Sequence, residues 1–259
     1  KSMMTNEFMM GTKIIVIDPE DEYKDLCQNF HGSWLNAAGS ASCKINPLQI
    51  KISGEDDNEG VRDKEKNGVL AKYLSHLETF FSLYLPNITD DLLADLKPLI
   101  IEVYEQKGIT FQTDISGFKP EEYPIMEDVV RLAEHRAKEC MEQGIENYYD
   151  KIARLLRDAA HGADAYLFNG HSTIHADSSF VCISTSGLND SSDRIKRTQY
   201  FNILNWAWNE ISCNRQERII LVCDEAYLLI DPNIPQSLIF LRNAMKRARK
   251  YEAAIWVIS

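Results

Sequence analysis

Four short apolar runs limit what this chain can fold into. Ile14 to Ile17, Phe180 to Ile183, Ile219 to Cys223 and Ala254 to Ile258 are continuous, and β-branched residues dominate them. A run that does not alternate with polar residues suits a strand covered on both faces, as in a parallel sheet flanked by helices. Three of the runs stop at polar residues: Asp18-Pro19, Ser184-Thr185 and Asp224-Glu225. Buried strands whose carboxyl ends carry polar side chains are how doubly wound sheets build ligand crevices. The expected class is α/β with a mainly parallel sheet.

Different material separates the first run from the second. Residues 54–68 are charged and turn-rich, a linker by composition. Leu70, Tyr73, Leu74, Leu77, Phe80, Phe81 and Tyr84 then recur at helical spacing, as do Leu92, Leu93, Leu96, Leu99, Ile100 and Val103. Thr89 before Asp90 and Asp91 makes a helix start, and Pro98 should kink or divide that helix. Further helices are predicted at about 126–141 and 145–160, with Gly162 as a stop signal. Residues 66–160 therefore read as an all-helical insertion between two parts of a core, 1–65 and 161–259. Ala165 to Phe168, then Asn169-Gly170, then His171 to Thr173 predicts a β-hairpin, because Asn-Gly suits a type I′ turn. An aromatic-rich helix over 193–211 should lead into the run at Ile219. Its Trp206 and Trp208 cannot share one helix face, which makes them core or interface residues.

Composition narrows the function classes. Among 259 residues, 28 Lys and Arg against 39 Asp and Glu leave a net charge of −11. A protein wrapped around nucleic acid needs a basic face, so that class is disfavoured, although a local basic patch remains compatible. No apolar run approaches the ~18 residues of a membrane span. The six cysteines form no Cys-x-x-Cys pair and several lie in apolar runs, which points to buried thiols. His171 and His175 have metal-like spacing but no third ligand nearby, so a zinc site is not expected.

Chemistry concentrates at the ends of the apolar runs. Ile219 to Cys223 followed by Asp224-Glu225 is the Walker B pattern, in which an aspartate at a strand tip serves Mg²⁺ and the next acid orients or deprotonates a water. A buried strand ending in acids at a helix start would look the same. Lys1-Ser2, followed by a short helical stretch and then the strand at Ile14, has the order of the end of a Walker A motif. The glycines that the motif requires would precede Lys1. Glu20, in the acidic turn after the first strand, is a candidate neighbour of the Mg²⁺ or of the water. Lys246 to Tyr251 is a basic run near a helix end, where cations complement the helix dipole. The alternative is that Arg247 or Arg249 reaches a neighbouring subunit's γ-phosphate, a role for which Arg194 and Arg197 compete.

Taken in order, several segments carry a family likeness. They are Ile15-Val16-Ile17-Asp18-Pro19-Glu20 with Glu22-Tyr23, Ile45-Asn46-Pro47-Leu48, Tyr123-Pro124-Ile125 with Asp128, and Leu167-Phe168-Asn169-Gly170-His171-Ser172-Thr173. Asp224-Glu225-Ala226-Tyr227-Leu228-Leu229, Lys246-Arg247-Ala248-Arg249-Lys250-Tyr251 and Trp256-Val257-Ile258-Ser259 follow. Together they resemble the C-terminal half of the VirB-four/TraC family of conjugative (type IV secretion) ATPases, in the HerA/FtsK branch of RecA-like P-loop motors. The resemblance implies a RecA-like P-loop NTPase core with an inserted helical subdomain, ATP hydrolysis with Mg²⁺, and at least transient hexamers. It also implies work at the cytoplasmic face of the bacterial inner membrane with other secretion-system components, and possible DNA at a central pore. Carried onto this sequence, Lys1 and Ser2 fall on Walker A, Asp224 and Glu225 on Walker B, and Arg247 or Arg249 in the family's basic motif. The alternatives are a HerA-like or coupling-protein DNA translocase, or a non-catalytic scaffold that binds partners through the helical insertion.

Overall fold

A computed structural model describes residues 1–50, 68–175, 177–213, 217–229 and 235–258. The linker expected over 54–68 falls, apart from its last residue, outside the described residues. The described chain divides into two units: 1–43 with 174–258, and 44–50 with 68–173.

The first unit is built on five parallel strands, β1 (Lys13–Asp18), β2 (Ser33–Asn36), β3 (Phe180–Ser184), β4 (Ile219–Cys223) and β5 (Ala253–Val257), in the order β2-β3-β1-β4-β5. The α/β class expected from the apolar runs holds, and each of the four runs is a strand. Strand β2 has no such run. It is four half-buried residues at the sheet edge, too short to carry a periodic signal.

Alternating side chains of the sheet face two helical layers. Ile14, Val16, Phe180, Cys182, Ile220 and Val222 pack in one cluster with Met4 and Phe8 of α1 (Ser2–Met9) and with Leu26 and Cys27 of α2 (Lys24–Asn29). Cys223, on the other face, meets Tyr200 of α8 (Asp193–Cys213). Helix α8 is buried on all sides, so Trp206 and Trp208 are both core residues despite pointing in different directions. Trp208 packs edge-on to Tyr251, with ring centroids 5.6 Å apart. Helix α9 (Pro235–Ala248) buries only the narrow seam of Ser237, Leu241, Ala244 and Ala248 before the chain enters β5.

The second unit is helical: α3 (Val69–Tyr84), α4 (Asp90–Gln106), α5 (Met126–Gln143), α6 (Tyr149–Ala160) and α7 (Ala165–Phe168). The Thr89 hydroxyl accepts the Leu92 N–H at the start of α4, as its sequence predicts. Pro98 does not divide α4, which runs unbroken through it. The hairpin expected over 165–173 is absent. Ala165 to Phe168 is a helical turn and the following residues form no strand, because Phe168 is held among Phe80 and Tyr84 of α3 at 5.4 and 5.5 Å. Asn169 is committed elsewhere too: its Oδ1 accepts the Glu127 N–H, its Nδ2 donates to the Ala160 carbonyl, and its own carbonyl accepts from Lys44 Nζ.

The Asn46-Pro47 motif has a structural explanation. Asn46 Nδ2 donates to the Pro124 carbonyl at 2.8 Å while its Oδ1 accepts the Leu48 N–H at 3.0 Å. Tyr73 and Tyr104 donate their hydroxyls to the Pro47 and Leu48 carbonyls, at 2.7 and 2.6 Å. Burial pushes both phenols upward in pKa, since neither can ionise without leaving a charge in the core.

Candidate active site

The carboxyl ends of β1, β3 and β4 are tied together by backbone hydrogen bonds. Thr185 N–H donates to the Asp18 carbonyl and Asp224 N–H to the Ile17 carbonyl, each at 3.2 Å. Asp18 is fully buried, and both of its carboxylate oxygens are engaged. Oδ1 accepts the Glu22 N–H, and Oδ2 accepts the Tyr23 N–H and the Cys182 thiol. Asp18 is thus the pin of the acidic turn rather than a group open to a ligand, and it holds Glu20 and Glu22 above the strand tips.

Asp224 follows β4 beside it and is 7 % exposed. Burial pushes its carboxyl above the usual range. The Glu225 N–H, bonded to Asp224 Oδ1 at 3.1 Å, works against that rise, and the nearby charges of Glu225, Asp18 and Glu22 add to it. Behind it, the Tyr200 hydroxyl donates to the Asp224 carbonyl at 2.6 Å. Glu225 follows with φ +51°, a left-handed conformation that costs a non-glycine residue energy and collects at functional sites.

Lys1 lies at the same end of the sheet. Its Nζ donates to the Glu22 carbonyl at 2.7 Å, sits 3.4 Å from the Glu22 carboxylate, and lies 5.0 Å above the Tyr23 ring. Both partners of that ion pair are about half exposed, so it is a weak tether. Ser2 is the first residue of α1 and is exposed. Tyr23 itself is pushed up to about 12, by burial first and then by Asp224, Glu22 and Asp18. The edge is an accumulation of negative charge with Lys1 beside it.

On the α8 side of the strand tips lies a cavity of about 230 Å³. Glu20 and Glu225 line it together with Asn189, Asp193, Lys196 and Tyr227. Arg197 lines it as well, within its own chain. Two of the expected site residues are therefore brought to one cavity. Lys196, Asn189 and Tyr200 were not singled out by sequence. The spacing Asp193-x-x-Lys196 on a helix leading to Walker B was the available signal, and it is a common one.

Arg247 and Arg249 are not brought to this site. Ala253, four residues after Arg249, pairs with Ile219 at the opposite end of β4 from Asp224, and Arg218 there pairs with Glu252 at 3.6 Å. A five-residue strand spans roughly 16 Å, so both arginines stand near the amino ends of the strands.

The residues present fit a magnesium ion better than a metal that needs a protein cage. Among the described residues no group of three or more His, Cys, Asp or Glu is arranged to hold a metal. Mg²⁺ takes one or two protein oxygens and fills the rest of its octahedron with phosphate and water. The Asp224 carboxylate is a donor of that kind, and a cation beside it would relieve the crowding of negative charge from Glu225, Asp18 and Glu22.

No family model and no curated protein matches the chain. Among solved structures it is similar to VirB4 of Thermoanaerobacter pseudethanolicus, with a TM-score of 0.88 and 39% identical residues over 99% of this chain. The chain spans 64% of the length of that protein. An all-parallel sheet tipped by Asp224-Glu225, with that identity over that coverage, makes the chain a member of the VirB4 family.

Proposed function

We propose that this chain is the motor domain of a type IV secretion ATPase, hydrolysing ATP with Mg²⁺ to power substrate transfer or pilus assembly. The observation that carries the reading is the meeting of Asp224, Glu225, Glu20 and Lys1 at one end of a parallel sheet. Lys1 contacts the β- and γ-phosphates, exchanging its half-exposed tether to Glu22 for them. Asp224 and Ser2 would hold a magnesium ion, which when bound would neutralise charge on the phosphates. Glu225 accepts a proton from the attacking water as the new oxygen–phosphorus bond forms and the bond to the bridging oxygen breaks, giving ADP and phosphate. Glu20 shares that water's cavity.

Arg247 or Arg249, at the far end of the sheet, acts on a neighbouring copy in a hexamer that assembles at least transiently. The sheet-bearing unit, 1–43 with 174–258, carries the chemistry, and the helical unit, wider than the 66–160 read from the sequence, is the insertion. The work takes place at the cytoplasmic face of the inner membrane, beside other secretion-system components. No described helix is long and apolar enough to cross a membrane. The exposed basic residues Arg242, Lys246, Arg249 and Lys250 favour a second reading, a DNA translocase with DNA in a central pore, whose turnover DNA would stimulate in a salt-dependent way.

Steady-state ATP turnover of the full-length protein tests the assignment. Glu225→Gln is expected to lower kcat by about 10²-fold or more while nucleotide still binds, because a lost general base typically costs 10²–10⁴. Lys1→Ala is expected to weaken nucleotide binding. Wild-type rates in both variants would remove the motor reading.

A further inference from the structure

Glu20 and Asp21 follow β1 in the acidic turn, and the loop after β3 bonds both of them. That loop is ordered by its own backbone. In the 3-10 turn Ser186–Leu188, the Leu188 and Asn189 N–H groups donate to the Thr185 and Ser186 carbonyls at 2.9 and 3.0 Å. From this frame the Ser186 hydroxyl donates to Asp21 Oδ2 at 2.5 Å, and Asn189 Nδ2 donates to Glu20 Oε2 at 3.4 Å. Asp21 depends on the first of these bonds. It stands at φ +57°, a left-handed conformation uncommon outside glycine, and its Oδ1 is buried with no hydrogen-bond partner among the described residues. Ser186 is held in turn by the fully buried Ser184, whose Oγ accepts the Ser186 N–H at 3.3 Å and lies 3.1 Å from the Ser186 hydroxyl. The bond from Asn189 joins two exposed side chains and is weak by itself. Its place gives it meaning, because Glu20 and Asn189 both line the cavity that Glu225 lines.

We infer that Ser186 and Asn189 are positioning residues for Glu20: Ser186 fixes the acidic turn through Asp21, and Asn189 holds Glu20 Oε2 so that Oε1 accepts a hydrogen of the attacking water. The inference rests on the reading that Glu225 activates that water, and it gives Glu20 a task beside it. A water has two hydrogens. Glu225 takes one as a proton, and a carboxylate that accepts the other as a hydrogen bond keeps the oxygen lone pair aimed at phosphorus. Glu20 and Glu225 follow the paired strands β1 and β4, so two acceptors on adjoining strand tips flank one water. A glutamate has three rotatable side-chain bonds, and without a fixed turn and a donor on one oxygen it would hold no water in a single orientation.

The test is steady-state ATP turnover by the full-length protein and its variants. Glu20→Ala is expected to lower kcat about tenfold or more, the scale of losing a group that orients a reactant. Asn189→Ala changes an exposed side chain and is expected to lower kcat about two- to fivefold, the range for one weak hydrogen bond to a charged group. KM for ATP and the melting temperature should stay unchanged in that variant. On the Glu20→Ala background the same substitution is expected to change kcat less than about 1.5-fold, since the group it orients is gone. Ser186→Ala is expected to lower kcat about fivefold or more, and Ser186→Thr, which keeps the hydroxyl, to restore it. An unchanged kcat in Asn189→Ala, a raised KM, or an equal loss with Glu20 removed would overturn the positioning role. An unchanged kcat in Glu20→Ala would overturn the whole inference and leave Glu225 as the base. Wild-type turnover in Glu225→Gln would overturn the base assignment and this inference with it.

Discussion

Asp18 ends β1 and Asp224 directly follows β4, each one position beyond the paired Ile17 and Cys223, yet their surroundings give them opposite duties. Asp18 meets two backbone N–H groups and a thiol, and serves structure. Asp224 meets one N–H and three negative neighbours, and is left with charge to offer. A carboxyl whose folded pKa is raised lends stability that is complete below its unfolded value, near 4, and is lost as pH rises through the folded value. Asp224→Asn should therefore melt at a higher temperature than wild type at pH 7 without nucleotide or magnesium. The two should converge near pH 3, and calorimetry at both pH values checks this. Adding magnesium and nucleotide at pH 7 should reverse the order, because the wild-type charge then gains a partner.

The elements divide into those the sequence announces and those that tertiary contacts decide. Strands β1, β3, β4 and β5 are legible because each is an unbroken apolar run, and α4 because Thr89 and two aspartates mark its start. Strand β2 and helix α7 were not legible. The first is set by pairing with β3 over four residues, and the second by the burial of Phe168 against α3, neither of which leaves a local pattern. In the candidate site, Asp224 and Glu225 are readable from their place after a strand, whereas Lys196 and Asn189 arrive from loop and helix positions that only folding brings near. The α2–β2 connection shows how little room such unannounced elements have. A Cβ on Gly32 would lie 2.4 Å from the Phe180 carbonyl oxygen and 2.9 Å from Cys27 Sγ. Backbone oxygen cannot yield cheaply, so Gly32→Ala should cost about 1–3 kcal/mol in denaturant titrations, with the loss falling on the packing of β2 against β3.

Across the whole molecule, groups that titrate at high pH are buried in both units. In the first, Tyr23 and Cys223 are pushed up to about 12, and in the second Tyr123 likewise, in each case by burial first. Tyr200, Tyr73 and Tyr104 are pushed further in the same direction. Unfolded thiols ionise near 8.5 and unfolded phenols near 10. Stability is thus complete below about pH 8.5 and should drain away as pH climbs toward 12. Thermal melts between pH 8 and 11 should show an accelerating fall, and Tyr73→Phe and Tyr104→Phe should each flatten it. Helix α8 has a consequence for anything that seeks the first unit from outside. Fifteen of its twenty-one residues are buried, so the longest helix of that unit offers no landing place. Crosslinkers and fluorophores belong on the outer faces of α1 or α9, where Met3, Met9, Leu238 and Ile239 stand in solvent. The same exposed helix faces are open to a visiting protein chain.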